Sequence, residues 1–76
     1  MTNRDKLLDI LYEIDPDIDY ENEQNLVEDG LFDSLEVMSI VMEIESVFNT
    51  AIDPDDIVAE NFDSVEAILK MIEKNA

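Results

Sequence analysis

The chain has no cysteine, no histidine and no tryptophan, a single glycine, two prolines, and only four basic residues among 76. Without cysteine there is no disulfide staple, no thiolate zinc site and no thiol nucleophile. Without histidine the commonest general base and metal ligand is missing, and no paired nucleophile and base can be named among the remaining side chains, so the chain reads as no enzyme of its own. No apolar run approaches the roughly 20 residues of a membrane span, and Met1-Thr2-Asn3-Arg4-Asp5 lacks the apolar region of a signal peptide. The expectation is a cytoplasmic protein with no membrane insertion.

Basic side chains are missing in a particular place. Arg4, Lys6, Lys70 and Lys74 lie at the two ends, residues 7 to 69 contain none, and the net charge is −17. Such a field opposes binding to nucleic acid or an anionic membrane and attracts basic patches on protein partners. Hydrophobic residues nevertheless make up 46% of the chain, too many for a disordered acidic tail. The length predicts one small domain over residues 1–76, monomeric, with a core near the lower limit of sufficiency and a fold sensitive to salt.

Helical periodicity is strong. Thr2 or Asn3 can cap a first helix whose Leu7, Leu8, Leu11 and Ile14 share a face and which should stop near Asp15-Pro16. A long polar connection then runs to about Phe32, with Leu26, Val27 and Leu31 expected to pin it and Gly30 placed for a turn or a positive φ. Asp33 and Glu36 form a capping-box pattern for a helix running to about Phe48, with Phe32 and Val37 placed for a hydrophobic staple. Asp53-Pro54 reads as cap and first position of a short third helix to about Ala59, and an Asp63 capping box opens a last helix to about Glu73. Lys70 and Lys74 sit favourably at its negative end. No strand pattern competes. The predicted fold is all-α: a small four-helix bundle, three helices longer and the third short, with a long first loop.

Ser34 stands at the positive end of the second helix, where unpaired N–H groups and the helix dipole suit a phosphate ester. The same pattern recurs, however, as Phe62-Asp63-Ser64-Val65-Glu66 against Phe32-Asp33-Ser34-Leu35-Glu36. Local grammar alone does not separate a modified serine from a plain helix start. The helix behind each serine does. Turned at about 100° per residue, the helix after Ser34 gathers Val37, Ile40, Val41, Ile44, Val47 and Phe48 on a core face and Leu35, Met38 and Met42 in a second apolar stripe. The second stripe is either buried in a central helix or an exposed strip that docks partners. After Ser64 there is one stripe only, Val65, Ile68, Leu69 and Ile72, the ordinary amphipathic case. Ser34 is the better candidate.

Asp33-Ser34-Leu35 heading the second helix of a short acidic chain, the Leu-Phe-Asp-Ser-Leu approach, the spacing to Phe48, the turn at Asp53-Pro54 and Glu60-Asn61-Phe62 before the last helix resemble the acyl carrier proteins and related peptidyl or aminoacyl carriers. The resemblance spans nearly the whole chain. It implies that a phosphopantetheinyl transferase esterifies Ser34 with phosphopantetheine from coenzyme A, giving a chain without cysteine a thiol that carries acyl or aminoacyl groups as thioesters. It implies that Asp33 helps present Ser34 to the transferase and its magnesium site. Leu35, Met38 and Met42 match positions that partner enzymes grip, and Glu36, Glu43 and Glu45 would meet basic docking patches of loading ligases and synthases. Ser39 stands where many fatty-acid carriers have an acidic residue, and Leu31 and Phe32 replace the small residues common before the motif. A free-standing carrier for a specialised polyketide, peptide, modified fatty-acid or aminoacyl pathway fits at least as well as a housekeeping role.

Two readings of other classes compete. Asp17, Asp19, Glu21 and Glu28 occupy positions 1, 3, 5 and 12 of a twelve-residue calcium loop, but position 6, normally glycine, is Asn22. An acidic adaptor without a prosthetic group would need the charge and not the serine.

Overall fold

A computed structural model describes residues 2–76 and forms three α-helices, α1 (Asn3–Ile14), α2 (Ser34–Phe48) and α3 (Val65–Lys74), with two short 3₁₀ turns, Pro54–Asp56 and Ala59–Phe62, between α2 and α3. No strand is present among the described residues. Each α-helix begins at a side-chain cap. Thr2 Oγ1 accepts from Asp5 N at 3.1 Å and Asp5 returns the bond to Thr2 N, a complete capping box that places an acidic group at the positive end of α1. Helix α1 ends at Ile14 because Asp15, ahead of Pro16, takes an extended conformation. Asp33 Oδ1 accepts from Glu36 N at 2.8 Å, but Glu36 makes no return bond, so the predicted box at α2 is half formed.

The core is the set of faces these helices share: Leu7, Ile10 and Leu11 from α1, Ile40, Val41 and Ile44 from α2, and Val65, Ile68, Met71 and Ile72 from α3. Phe32 and Phe62, each just ahead of a helix start, are buried with them. The expected core face of α2 is narrower than its wheel suggested. Val47 is 46% exposed, because α2 meets α1 along Ile40, Val41 and Ile44 and leaves Val47 at the edge of a depression beside Lys6 and Asp9. Met71, absent from the predicted α3 stripe, is buried.

The connection from Asp15 to Asp33 has no helix or strand but is well anchored. Tyr20 is buried, its hydroxyl within 2.9 Å of the Leu11 carbonyl and 2.8 Å of the Asp15 carbonyl, capping the C-terminal end of α1. Burial, then the nearby Asp15 carboxylate, pushes its phenol well above the usual tyrosine range. Its ring packs edge-on against Tyr12 at 4.9 Å and tilted against Phe32 at 6.0 Å. Leu26 is buried as expected and Val27 half-buried, but Leu31 is exposed and pins nothing. Gly30 takes φ +78°, the left-handed turn that its lack of a side chain permits.

Two expectations about the second half need correction. The third helix does not form as an α-helix. Asp53 caps and Pro54 starts the first turn as expected, but the Asp56 carbonyl is taken by Val58 N and by the Asn61 side chain, so it cannot accept the i+4 bond that would carry the helix on. Nor does Asp63 cap the last helix. Ser64 is the cap, accepting from Ala67 N at 3.1 Å. Asp63 is used elsewhere: its Oδ1 accepts from Val27 N at 3.0 Å and Glu28 N at 3.2 Å, and its carbonyl accepts from Leu26 N at 2.9 Å. This clamp ties the long connection to the entrance of α3.

At the other end, Asn75 gathers the chain. Its amide donates to Asp56 Oδ2 and the Met71 carbonyl, its Oδ1 accepts from Asp53 N, and its carbonyl accepts from Thr50 Oγ1. Beside it Lys74 Nζ meets Asp56 Oδ1 at 2.7 Å. The Lys74 bond, with Asn75 second, holds the Asp56 carboxyl below its usual value, and Asp56 raises Lys74.

The clamp predicts that Asp63→Ala costs about 1–2 kcal/mol in denaturant unfolding, since it strands the part-buried Val27 donor and frees the exposed Glu28 donor to water, and that Asp63→Asn costs about half of that. A loss under about 0.5 kcal/mol for Asp63→Ala would show that water replaces the clamp freely. For Asp56 and Lys74 the signs set a window. A depressed carboxyl stabilises above its ordinary 3.8 and loses that contribution as pH falls through the lower folded value; a raised lysine stabilises below its ordinary 10.5 and loses it as pH rises through the higher one. The difference in melting temperature between wild type and Asp56→Asn should therefore be full at neutral pH and vanish in strong acid. A difference that persists in strong acid would assign it to hydrogen bonding with Asn75.

Candidate functional site

The two Phe-Asp-Ser copies are alike in sequence and different in space. In the second copy Asp63 is drawn to the Leu26–Glu28 backbone, capping falls to Ser64, and the Ser64 hydroxyl is buried and committed. In the first copy Asp33 does the capping. Ser34 is then the first residue of α2, exposed, and its hydroxyl has no partner among the described residues. The backbone N–H groups of Ser34 and Leu35 also lack a protein acceptor, while that of Glu36 is taken by Asp33. A free hydroxyl and free backbone donors therefore share one helix end, the positive end of a 15-residue helix.

On one side of Ser34 the surface is mostly apolar. A groove of about 430 Å³ lies beside it, between Val27, Phe32, Val37 and Met38 on one side and Ile57, Val58 and Ala59 on the other. Phe32 and Val37, expected to form a staple, both line it. Along α2 the second stripe is on the outside: Leu35 is 80% exposed, Met38 47% and Met42 68%. The central-helix reading of that stripe is excluded. Of the acidic candidates, Glu43 is exposed and Glu36 half-buried. Glu45 is different, because its Oε2 accepts from Ile52 N at 3.0 Å and holds the segment after α2. The structure therefore brings Asp33, Ser34, Leu35 and Met38 together at one end of α2, sets Met42 and Glu43 one turn further along, and gives Glu45 a structural duty.

Sequence reasoning missed Ile57 and Val58, which form the far wall of the groove. Their signal was an apolar, β-branched pair following an acidic turn, which the expected short third helix absorbed. The carboxylates of the calcium-loop reading do not converge: among the described residues no group of three or more potential metal-ligating side chains is found.

The family model described as "Phosphopantetheine attachment site" matches residues 4–72. The chain belongs to the phosphopantetheine-binding family. Its 42% identity to the "Acyl carrier protein" of Phytoplasma australiense extends over 48 residues, 63% of this chain and 60% of that protein. The chain thus matches under two thirds of that relative's length. No solved structure matches. The prosthetic group of the family is phosphopantetheine, covalently attached. This chain has the features such a phosphate-bearing arm needs, an unbonded surface hydroxyl with free backbone donors beside it and an apolar groove alongside. Residues 7 to 69 supply no cation to that site, and the free backbone N–H groups of Ser34 and Leu35 are the donors beside it. Among the described residues no helix is long and apolar enough to cross a membrane.

The difference between the two serines predicts different costs. Ser64→Ala should lose about 1 kcal/mol of stability with its cap, whereas Ser34→Ala should stay within about 0.5 kcal/mol. Equal losses in denaturant unfolding would mean that Ser34 also serves as a cap.

Proposed function

We propose that Ser34 bears the phosphopantetheine arm and that the chain, as a single carrier domain, presents acyl or aminoacyl groups to partner enzymes without catalysing a reaction itself. The observation that carries this reading is the unequal fate of the two serines: Ser64 is buried in a cap and Ser34 is displayed. When attached, the arm supplies a terminal thiol that holds such groups as thioesters.

The chain's own residues do the rest. Asp33 fixes the first turn of α2 by accepting from Glu36 N, which holds Ser34 outward for a phosphopantetheinyl transferase. Leu35, Met38 and Met42 offer partners an apolar strip that costs no unfolding to reach. Glu43 and Glu36 flank that strip, and the charge of −17 steers basic entrances of loading ligases and synthases toward it. Glu45 contributes to the field, while its hydrogen bond to Ile52 N limits what it can give a partner. The chain acts as a monomer in this scheme, in the cytoplasm, where coenzyme A supplies the arm.

Intact mass after incubation with coenzyme A, magnesium and a broad-specificity transferase tests the assignment. One added arm is expected on wild type and on Ser64→Ala, and none on Ser34→Ala. No addition to wild type by several transferases would sink the reading and leave an acidic adaptor. For the strip, Met42→Ala should cost under about 1 kcal/mol of stability yet slow transfer to a partner, and Glu43→Lys should slow association and flatten its salt dependence. A large melting-temperature loss in Met42→Ala would remove the strip from partner binding.

A further inference from the structure

The chain has four methionines, and those of α2 and α3 fall into opposite environments. Met71 is 3% exposed within the core, whereas Met38 and Met42, one turn apart on the outer stripe of α2, are open to solvent. The polypeptide has no cysteine, histidine or tryptophan to compete for an oxidant. We propose that Met38 and Met42 form a peroxide-sensitive modification site whose oxidation blocks docking of partner proteins on α2; the docking part rests on the carrier reading above.

The chemistry is an oxygen-atom transfer. The thioether sulfur attacks hydrogen peroxide, the O–O bond breaks, sulfur is oxidised to the sulfoxide and the peroxide is reduced to water. Hydrogen peroxide is uncharged, so the field of −17 does not exclude it. Both side chains are exposed and neither belongs to the buried core, so the product forms without opening it. Each sulfoxide puts a strong acceptor dipole where a partner needs an apolar contact, and an acceptor buried without a donor is costly. Leu35, in the same stripe and not oxidisable in this way, keeps part of the contact. The modification thus weakens docking while leaving the fold intact, and a methionine sulfoxide reductase restores it.

The test treats the full apo chain with graded hydrogen peroxide and maps oxidation by peptide mass. Each sample is then assayed for melting temperature and for the rate of arm addition by a phosphopantetheinyl transferase with coenzyme A. The expected result is oxidation of Met42 and Met38 well before Met71, a nearly unchanged melting temperature and an arm-addition rate reduced about tenfold. A Met38→Leu, Met42→Leu double variant, which keeps the strip apolar, should retain its rate after the same treatment. Oxidation of Met71 as fast as Met42, or an unchanged rate for chains oxidised at both Met38 and Met42, would overturn the proposal. So would a double variant that loses its rate like wild type. If untreated chain accepts no arm, the carrier reading fails and the docking consequence fails with it, while the order of oxidation still reports whether the site exists.

Discussion

Asp63 decides the geometry of a serine more than a third of the chain ahead of it, Ser34. Its carboxylate and carbonyl take the N–H groups of Leu26, Val27 and Glu28, which the polar connection after α1 could not satisfy by itself. With Leu26 fixed, its carbonyl accepts from Phe32 N, Phe32 enters the core, and Asp33 arrives where it caps α2. Each step uses a backbone group left over by the one before. The acidic loop is thereby held by an acidic residue, through dipoles and not through opposite charge.

That economy of cations runs through the molecule. With four basic residues against 21 acidic ones, ion pairing among the described residues comes down to Arg4 with Glu66 and Lys74 with the buried Asp56. Both pairs join α3 to another part of the chain. Elsewhere carboxylates are paired with backbone N–H groups: Asp5, Asp33, Asp53 and Asp63 at turns and helix starts, and Glu45 after α2. The C-terminal ends of α1 and α2, where cations would ordinarily help, are closed without any, by the Tyr20 hydroxyl and by the left-handed Asn49. The surplus negative charge is left on the surface, free to act on whatever approaches α2.

Much of this was legible in the residues. The three α-helices, the stop before Pro16, the positive φ of Gly30 and the Asp53-Pro54 turn come from local rules that tertiary context did not overrule. The second stripe of α2 could be drawn from sequence but not assigned a side, because Leu35, Met38 and Met42 would suit a buried helix as well as an exposed one; only the positions of α1 and α3 decide. The capping register at α3 was beyond local reading. Asp63 and Ser64 are both good caps, and the choice is made by donors at Val27 and Glu28 that no window around residue 63 contains. The lost third helix has a similar cause, since Asn61 and Val58 claim the Asp56 carbonyl that a helix would have used. Tyr20 gives no sequence signal of its role, because one aromatic in an acidic stretch carries no periodicity.

The clamp also imposes an order in time. Synthesis proceeds from the N-terminus, and the donors at Leu26 to Glu28 exist as chain well before Asp63 does. Tyr20 can tie the start of the connection to α1 early, but until Asp63 is made the donors of Leu26 to Glu28 lack their partner and α2 has no α3 to lie against. The serine at its head is thus in its final setting only once Asp63 and α3 have been made. Any enzyme that recognises that setting, and not a bare tripeptide, meets a folded domain rather than an open stretch of chain.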